Sequence, residues 1–255
     1  MIDSHCHLDF SCFDSDRCEI LNTCQASNIN TILIPGTQAS AWDKQILLCQ
    51  HCAQLKFSLG LHPFFLADFQ EQHLTLLADL LTVHHDQVLA VGEIGLDFAI
   101  KVDRKLQQDV LEQQLALAQT HRLPVILHHR HSHNELLRTL KHWPLSRGGV
   151  VHAFSGSLQE AQRYIDLGFK LGVGGIITYP RAVKTRDTIS KVPLSSLLLE
   201  TDAPDMPLMG KQGKRNSPEN LPLVLQALQE LRVESSELVA TVCEENFADL
   251  FVVTA

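Results

Sequence analysis

Eight short apolar runs recur along the chain, each followed by a stretch with helical or polar patterning. They are MIDSHCH, NTILIPG, FSLGLHP, VLAVGEIGLD, PVILHHR, GGVVHAFSG, KLGVGGIITYP and SLLLETDAP. They are rich in Val, Ile and Leu, and several are apolar at nearly every position, as strands buried on both faces of a parallel sheet are. Between them lie helical patterns such as RKLQQDVLEQQLALAQTHRL and SLQEAQRYIDLG, and after the last come PENLPLVLQALQELR and SSELVATVCEENFADLF. Eight strands alternating with helices predict an α/β protein, a (β/α)8 TIM barrel, as a single domain over residues 1–255. An open doubly wound sheet is the competing architecture, but the nucleotide fingerprints GxGxxG and GxxxxGKS/T are both absent.

The formal charge of −8 does not match a nucleic-acid coating protein with a broad basic face. It leaves room for an enzyme that meets phosphates through metal ions and a local basic rim. No apolar run approaches the ~18 residues of a membrane span. The N-terminus lacks the basic and apolar regions of a signal peptide, so the expected location is the cytoplasm, without membrane contact. Seven cysteines is an odd number and reads as reduced thiols. Cys49 and Cys52 form a CxxC, but no second pair follows and DKQILLCQHCAQL has the pattern of an amphipathic helix. Fourteen histidines is the unusual count, and it directs attention to a metal site.

In such a barrel, function sits at the C-terminal ends of the strands. The first run ends in His5 and His7, the third in His62–Pro63, and the fourth carries Glu93 with Asp97 beyond it. The fifth ends in His128, His129 and Arg130, the sixth near His152, and the eighth in Glu200, Thr201 and Asp202. Side chains at i and i+2 of a strand point the same way, so His5 and His7 are expected to face the barrel mouth together, with Cys6 turned toward a helix. Four histidines (His5, His7, His128, His152) and two acids (Glu93, Asp202) then converge on one rim. Divalent metals such as zinc take imidazole nitrogen and carboxylate oxygen together. Six such residues exceed what one ion needs and suit two ions sharing a carboxylate. Any one of these histidines or acids alone would read as an ordinary hydrogen-bonded group; their joint placement at strand ends makes the case. His84, His85, His131 and His133 read as loop or solvent-facing residues, and His51, His73, His121 and His142 as residues of helical or polar stretches.

The ordered set DSHCHLD, GLHP, VGEIGLD, PVILHHR, VHAFSGS, LLLETDAP, NSPENLP and NFADLF resembles the TatD family of metal-dependent hydrolases, which belongs to the amidohydrolase-like TIM barrels. TYPRAVKTRD and LLLETDAPDMPL further resemble its YjjV-like branch. The resemblance spans essentially the whole chain and implies a divalent metal pair, with Mg2+, Zn2+ and Mn2+ as candidates. Carried over by position, it makes His5, His7, Glu93 and Asp202 ligands of one ion, and Glu93, His128 and His152 ligands of the other, with Glu93 bridging. It gives His62 and Arg130 to substrate contact. The stretch RNSP stands where the family has RNEP, so no role is carried over there.

The expected function is a metal-dependent phosphodiesterase or deoxyribonuclease using a water activated by the two ions, with Asp202 as proton acceptor and Glu93 as shared ligand. Two basic stretches at the same mouth support a phosphate substrate. TYPRAVKTRD carries Arg181, Lys184 and Arg186, and MPLMGKQGKRNSP carries Lys211, Lys214 and Arg215. Arg181, Lys184, Lys211 and Lys214 are the candidate substrate contacts. Either stretch alone would read as a solvated loop. The expected partner is DNA or another phosphodiester read without sequence specificity, since no recognition-helix or zinc-finger pattern appears; no obligatory protein partner is evident. One alternative is a small-molecule amidohydrolase acting on an amide, ester or lactone, for which the basic loops would be incidental. Another is a non-enzymatic scaffold on a decayed barrel, which predicts missing ligands where none is missing.

Overall fold

The computed structural model describes residues 1–251 and builds the apolar runs into one eight-stranded sheet, ordered β1 to β8 with every neighbouring pair parallel. The strands are β1 (Ile2–Asp3), β2 (Thr31–Pro35), β3 (Leu55–Leu59), β4 (Val88–Asp97), β5 (Val125–Arg130), β6 (Gly149–Val151), β7 (Phe169–Val173) and β8 (Leu197–Leu199). The helices α1 (Arg17–Ala26), α2 (Trp42–His51), α3 (Glu71–Val83), α4 (Arg104–His121), α5 (His133–His142), α6 (Leu158–Asp166) and α7 (Val183–Lys191) cross between consecutive strands. Two more, α8 (Leu221–Leu231) and α9 (Ser236–Phe251), follow β8. The ring closes where Ser4 N donates to Leu199 O (2.9 Å) and Asp202 N donates to His5 O (2.9 Å).

Local sequence starts these helices where the topology needs them. Before α6, Ser157 accepts from Glu160 N while the Glu160 carboxylate takes Ser157 N (2.6 Å), so both reciprocal bonds of a capping box are made. Asp103 caps α4 by accepting Leu106 N (2.9 Å). Helices and strands meet in a large buried layer that includes Ile32, Ile34, Phe57, Leu59, Leu127, Val151, Leu171 and Leu197. Each such side chain contributes roughly 1.5–3 kcal/mol of burial free energy.

A second apolar cluster lies inside the ring. Leu33, Ala90, Ile126, Val150 and Leu198 come from five strands and meet Phe247, Leu250 and Phe251 of α9. The last helix therefore stoppers one end of the barrel, and the strands carry their polar residues toward the other. All seven cysteines are free thiols; Cys49 is buried in α2 and Cys52 follows the end of that helix. Among the described residues, no helix is long and apolar enough to cross a membrane.

Candidate metal centre

Strand alternation carries most of the site. Ile126, Val150 and Leu198 point into the barrel, so two residues further on His128, His152 and Glu200 point the same way, one layer higher. Glu93 arrives differently. The register of β4 against β5 shifts between Val91 and Ile94, and Glu93 lies within that irregularity, the kind of feature that re-aims a side chain. The backbones crowd there: a Cβ on Gly60 would stand 2.7 Å from Gly92 C, and one on Gly92 would stand 2.6 Å from Ile126 Cβ. Only residues without side chains let these strands approach so closely.

His5 and His7 correct the expectation from the sequence. Strand pleating predicts that they share a face, but the regular ladder of β1 ends at Asp3. The Asp3 carboxylate accepts His5 N (3.3 Å), Thr201 N (3.0 Å) and Thr201 Oγ1 (2.6 Å) and marks that end. Beyond it the segment is fixed by Cys6 N to Leu33 O (3.1 Å) and His7 N to Ala203 O (2.7 Å). Both imidazoles still reach the mouth, positioned by these cross-connections. Cys6 is buried in the layer beneath the helices.

Glu93 is the hub. Its Oε2 lies 3.2 Å from His5 Nε2 and 3.5 Å from His7 Nε2. Its Oε1 lies 2.8 Å from His152 Nε2, 3.1 Å from His128 Nδ1 and 3.2 Å from His62 Nε2. Asp202 Oδ1 faces the first group, 3.5 Å from His5 Nε2 and 3.6 Å from His7 Nε2. Asp202 has φ +56°, a left-handed conformation uncommon for a non-glycine residue. On the far side of His128, Nε2 lies 3.2 Å from Asp97 Oδ2.

Burial pushes the Glu93 pKa up, but the surrounding imidazoles of His152, His62 and His5 and the hydrogen bond with His128 outweigh it and hold the carboxyl well below its ordinary range. Burial drives His7 well below its usual value and His152 down to about 4, so both rings are neutral and can offer lone pairs. Burial also opposes charge on His128, yet hydrogen bonds with Asp97 and Glu93 bring it up to about 9. Burial, then the Glu93 and Asp205 charges, raise Asp202 well above the carboxylate range.

This donor set fits divalent cations. His5 Nε2 and His7 Nε2 face each other at 3.3 Å, and so do His128 Nδ1 and His152 Nε2. Two ring nitrogens at that distance repel through their lone pairs unless a proton or a metal ion is shared. The ligand atoms of His5, His7 and Glu93 lie within 4.8 Å of one another, as do those of His62, Glu93 and His128. A cavity of about 310 Å3 opens above them, with Glu93, Asp97, Asp202 and Asp205 on its wall and neither lysine nor arginine. An anionic substrate would be repelled from such a wall unless cations stood in it; nearby divalent charge would also reverse the upward push on Asp202.

Other expected residues lie further out. Arg130 ends β5 exposed and does not line the cavity, although its charge helps hold Asp97 below the carboxylate range. Arg181, Lys184, Lys211 and Lys214 do not line it either. Lys184, expected in a loop, lies in the first turn of α7, 3.6 Å from the Glu160 carboxylate. Lys211 donates to Asn220 Oδ1. Arg181 lies over the Tyr179 ring at 5.1 Å. His133, expected in a loop, opens α5 with its ring against Tyr164 Oη (3.1 Å).

Several cavity residues are not singled out by the sequence. Asp97 closes the fourth run without an evident role in the sequence; its contact with His128 gives it one. Phe10, Phe64, Phe65 and Asp205 also line the cavity. Glu200 is fully buried beneath it, with Oε1 accepting Ala153 N (2.5 Å) and standing 3.9 Å from His152 Nδ1. The ETD triplet carries that signal, but it does not say which acid stays in the core.

The profile of a family described as TatD-related DNase matches residues 2–252. The chain is 47% identical over 251 residues to a protein of Escherichia coli K12 named uncharacterized metal-dependent hydrolase YjjV, covering 98% of this chain and 97% of that protein. It is 32% identical over 260 residues to a Rahnella protein named 3'-5' ssDNA/RNA exonuclease TatD, covering 98% and 97%. The crystal structure of the TatD homologue YjjV from E. coli K12 superposes with a TM-score of 0.97 at 46% identity, over 99% of this chain and 98% of that one.

Proposed function

This chain belongs to the family of TatD-related DNases and is a metal-dependent hydrolase, and from that premise we propose that it cleaves phosphodiester bonds in single-stranded nucleic acid, with two divalent ions at the barrel mouth. One observation carries the reading: the two oxygens of Glu93 face two different sets of histidines. His5, His7 and Asp202 with Glu93 would hold one ion, and His128 and His152 with Glu93 would hold the other. Mg2+, Mn2+ and Zn2+ are the candidate ions. The relative named as a ssDNA/RNA exonuclease supports the substrate class.

The hydrogen bonds support a role for each residue. Asp97 accepts from His128 Nε2, which leaves Nδ1 as the donor atom toward the site and fixes the ring. His62 Nδ1 accepts Phe64 N (3.0 Å), so a neutral ring carries its proton on Nε2. That makes His62 a hydrogen-bond donor, to Glu93 or to a phosphate oxygen, rather than a ligand. Two bound divalent ions supply a water of lowered pKa and neutralise charge on the reacting oxygens. Asp202, at the lip between the histidine pair and the cavity, accepts the proton of the attacking water. Arg181, Lys211 and Lys214, which have no carboxylate within ion-pair distance among the described residues, guide the phosphate chain outside the cavity without reading its sequence.

The test is hydrolysis by purified protein supplied with Mg2+, Mn2+ or Zn2+. Single-stranded and duplex oligonucleotides are compared with phosphate-free esters, lactones and amides. Cleavage of single strands, abolished by chelator, is the expected result. Turnover of phosphate-free substrates alone would hand the site to the amidohydrolase reading.

A further inference from the structure

Three phenylalanines line the cavity, and two of them support histidine rings. Phe10 lies against His7 with centroids 4.8 Å apart and planes 23° apart. Phe65 meets His62 edge-on at 6.0 Å. The Phe64 ring stacks on no histidine. Its one aromatic neighbour among the described residues is Phe65, edge to face at 5.2 Å, and it is 60% exposed. A large aromatic ring left in water contributes little to folding, and one such ring alone is ordinary surface. This one stands on the wall that holds the carboxylate and imidazole cluster. Its backbone N–H also holds His62, so the ring and the Glu93 centre are connected through a single side chain.

We propose that Phe64 is the platform on which the nucleobase next to the scissile phosphate stacks. The inference rests on the nuclease reading above and extends it to strand selectivity. The cavity of about 310 Å3 is at the small end for ligand pockets and suits one nucleotide-sized group. The reacting phosphate must approach Glu93, which is buried, so the attached nucleotide has to enter with it. A base within a duplex already stacks on its neighbours. An unpaired base near a strand end offers a free face, and stacking on it is tolerant of sequence because every base has one. The cavity wall has no arginine or lysine to pair bidentately with a guanine edge.

The test compares the parent, Phe64→Ala and Phe64→Trp in the metal that supports activity. Each is assayed on a single-stranded oligonucleotide and on the same strand with abasic terminal nucleotides. The expected result is a KM raised roughly 5- to 150-fold in Phe64→Ala on the complete strand, the usual range for one stacked base. Phe64→Trp should restore it. On the abasic strand, parent and Phe64→Ala should have the same KM. Equal KM for both proteins on the complete strand, or the same rise on both strands, overturns the platform while leaving the nuclease reading intact. A lower kcat at unchanged KM also overturns it, since Phe64 would then act by positioning His62. A parent that cleaves no oligonucleotide overturns the nuclease reading and the platform together.

Discussion

Replacing Gly172 with alanine adds one methyl group inside the barrel, and the structure says where it goes. The new Cβ would stand 2.1 Å from Glu200 Oε2, 2.6 Å from Cδ and 2.8 Å from Oε1. The carboxylate cannot step aside freely. It is fully buried, and its Oε1 is held by Ala153 N at 2.5 Å. The backbone itself is no obstacle, because Gly172 is not among the residues with positive φ. The alanine even gains about 0.4–1 kcal/mol from a less flexible unfolded chain. Against this, overpacking costs about 1–3 kcal/mol, and leaving the Ala153 N–H without its acceptor costs about 1–3 kcal/mol. The net destabilisation should be about 2–5 kcal/mol. For a chain of this size each kcal/mol lowers Tm by roughly 2–4 °C, so a fall of the order of 10 °C is expected. Thermal and urea unfolding in chelator would measure it without metal linkage. The decisive control is the same substitution in a Glu200→Ala background, where the methyl has room and should cost almost nothing. If Gly172→Ala is as damaging there as in the parent, the carboxylate is not what the methyl meets and the reasoning fails.

Glu93→Ala should disturb both ions, measured by elemental analysis after metal reconstitution; full metal content with full activity would show that Glu93 is not shared. Asp202→Asn keeps the size and one oxygen but removes most of the basicity, so kcat should fall by about 10²–10⁴ with some metal retained. Near-normal turnover with intact metals would remove Asp202 from the proton-accepting role. Neutralising Arg181, Lys184, Lys211 and Lys214 together should raise KM for an oligonucleotide and flatten its salt dependence by about 0.7 for each phosphate no longer neutralised. Because Lys184 already faces the Glu160 carboxylate, a change near 2.1, from Arg181, Lys211 and Lys214, is expected. An unchanged salt slope would make these residues solvated surface.

The barrel is legible because its strands announce themselves twice, as apolar runs and by their spacing. The inward residues Ile126, Val150 and Leu198 put His128, His152 and Glu200 in register, and that alternation can be counted in the sequence. The histidine pair at His5 and His7 is legible for the wrong reason: the strand stops at Asp3, and long-range bonds to Leu33 and Ala203 do the positioning. Lys184 reads as a loop residue because α7 starts without a side-chain cap, its Ala182 offering no oxygen, so nothing in YPRAVK marks a helix start. Phe64 is invisible because it sits in the short 3-10 turn Pro63–Asp68, where neither period applies. Asp97 can be seen but not ranked, since its role depends on the ring of His128 across the strand pair.

The stopper formed by Phe247, Leu250 and Phe251 has a bearing on traffic. A barrel plugged at one end is a blind well and not a tunnel. Whatever enters must leave by the same doorway. A strand cannot be threaded through and released behind, so under the nuclease reading the severed nucleotide and the shortened strand compete for a single exit. One of them has to back out before the next bond can be seated, and free mononucleotide in the surroundings should slow the enzyme by standing in its only door.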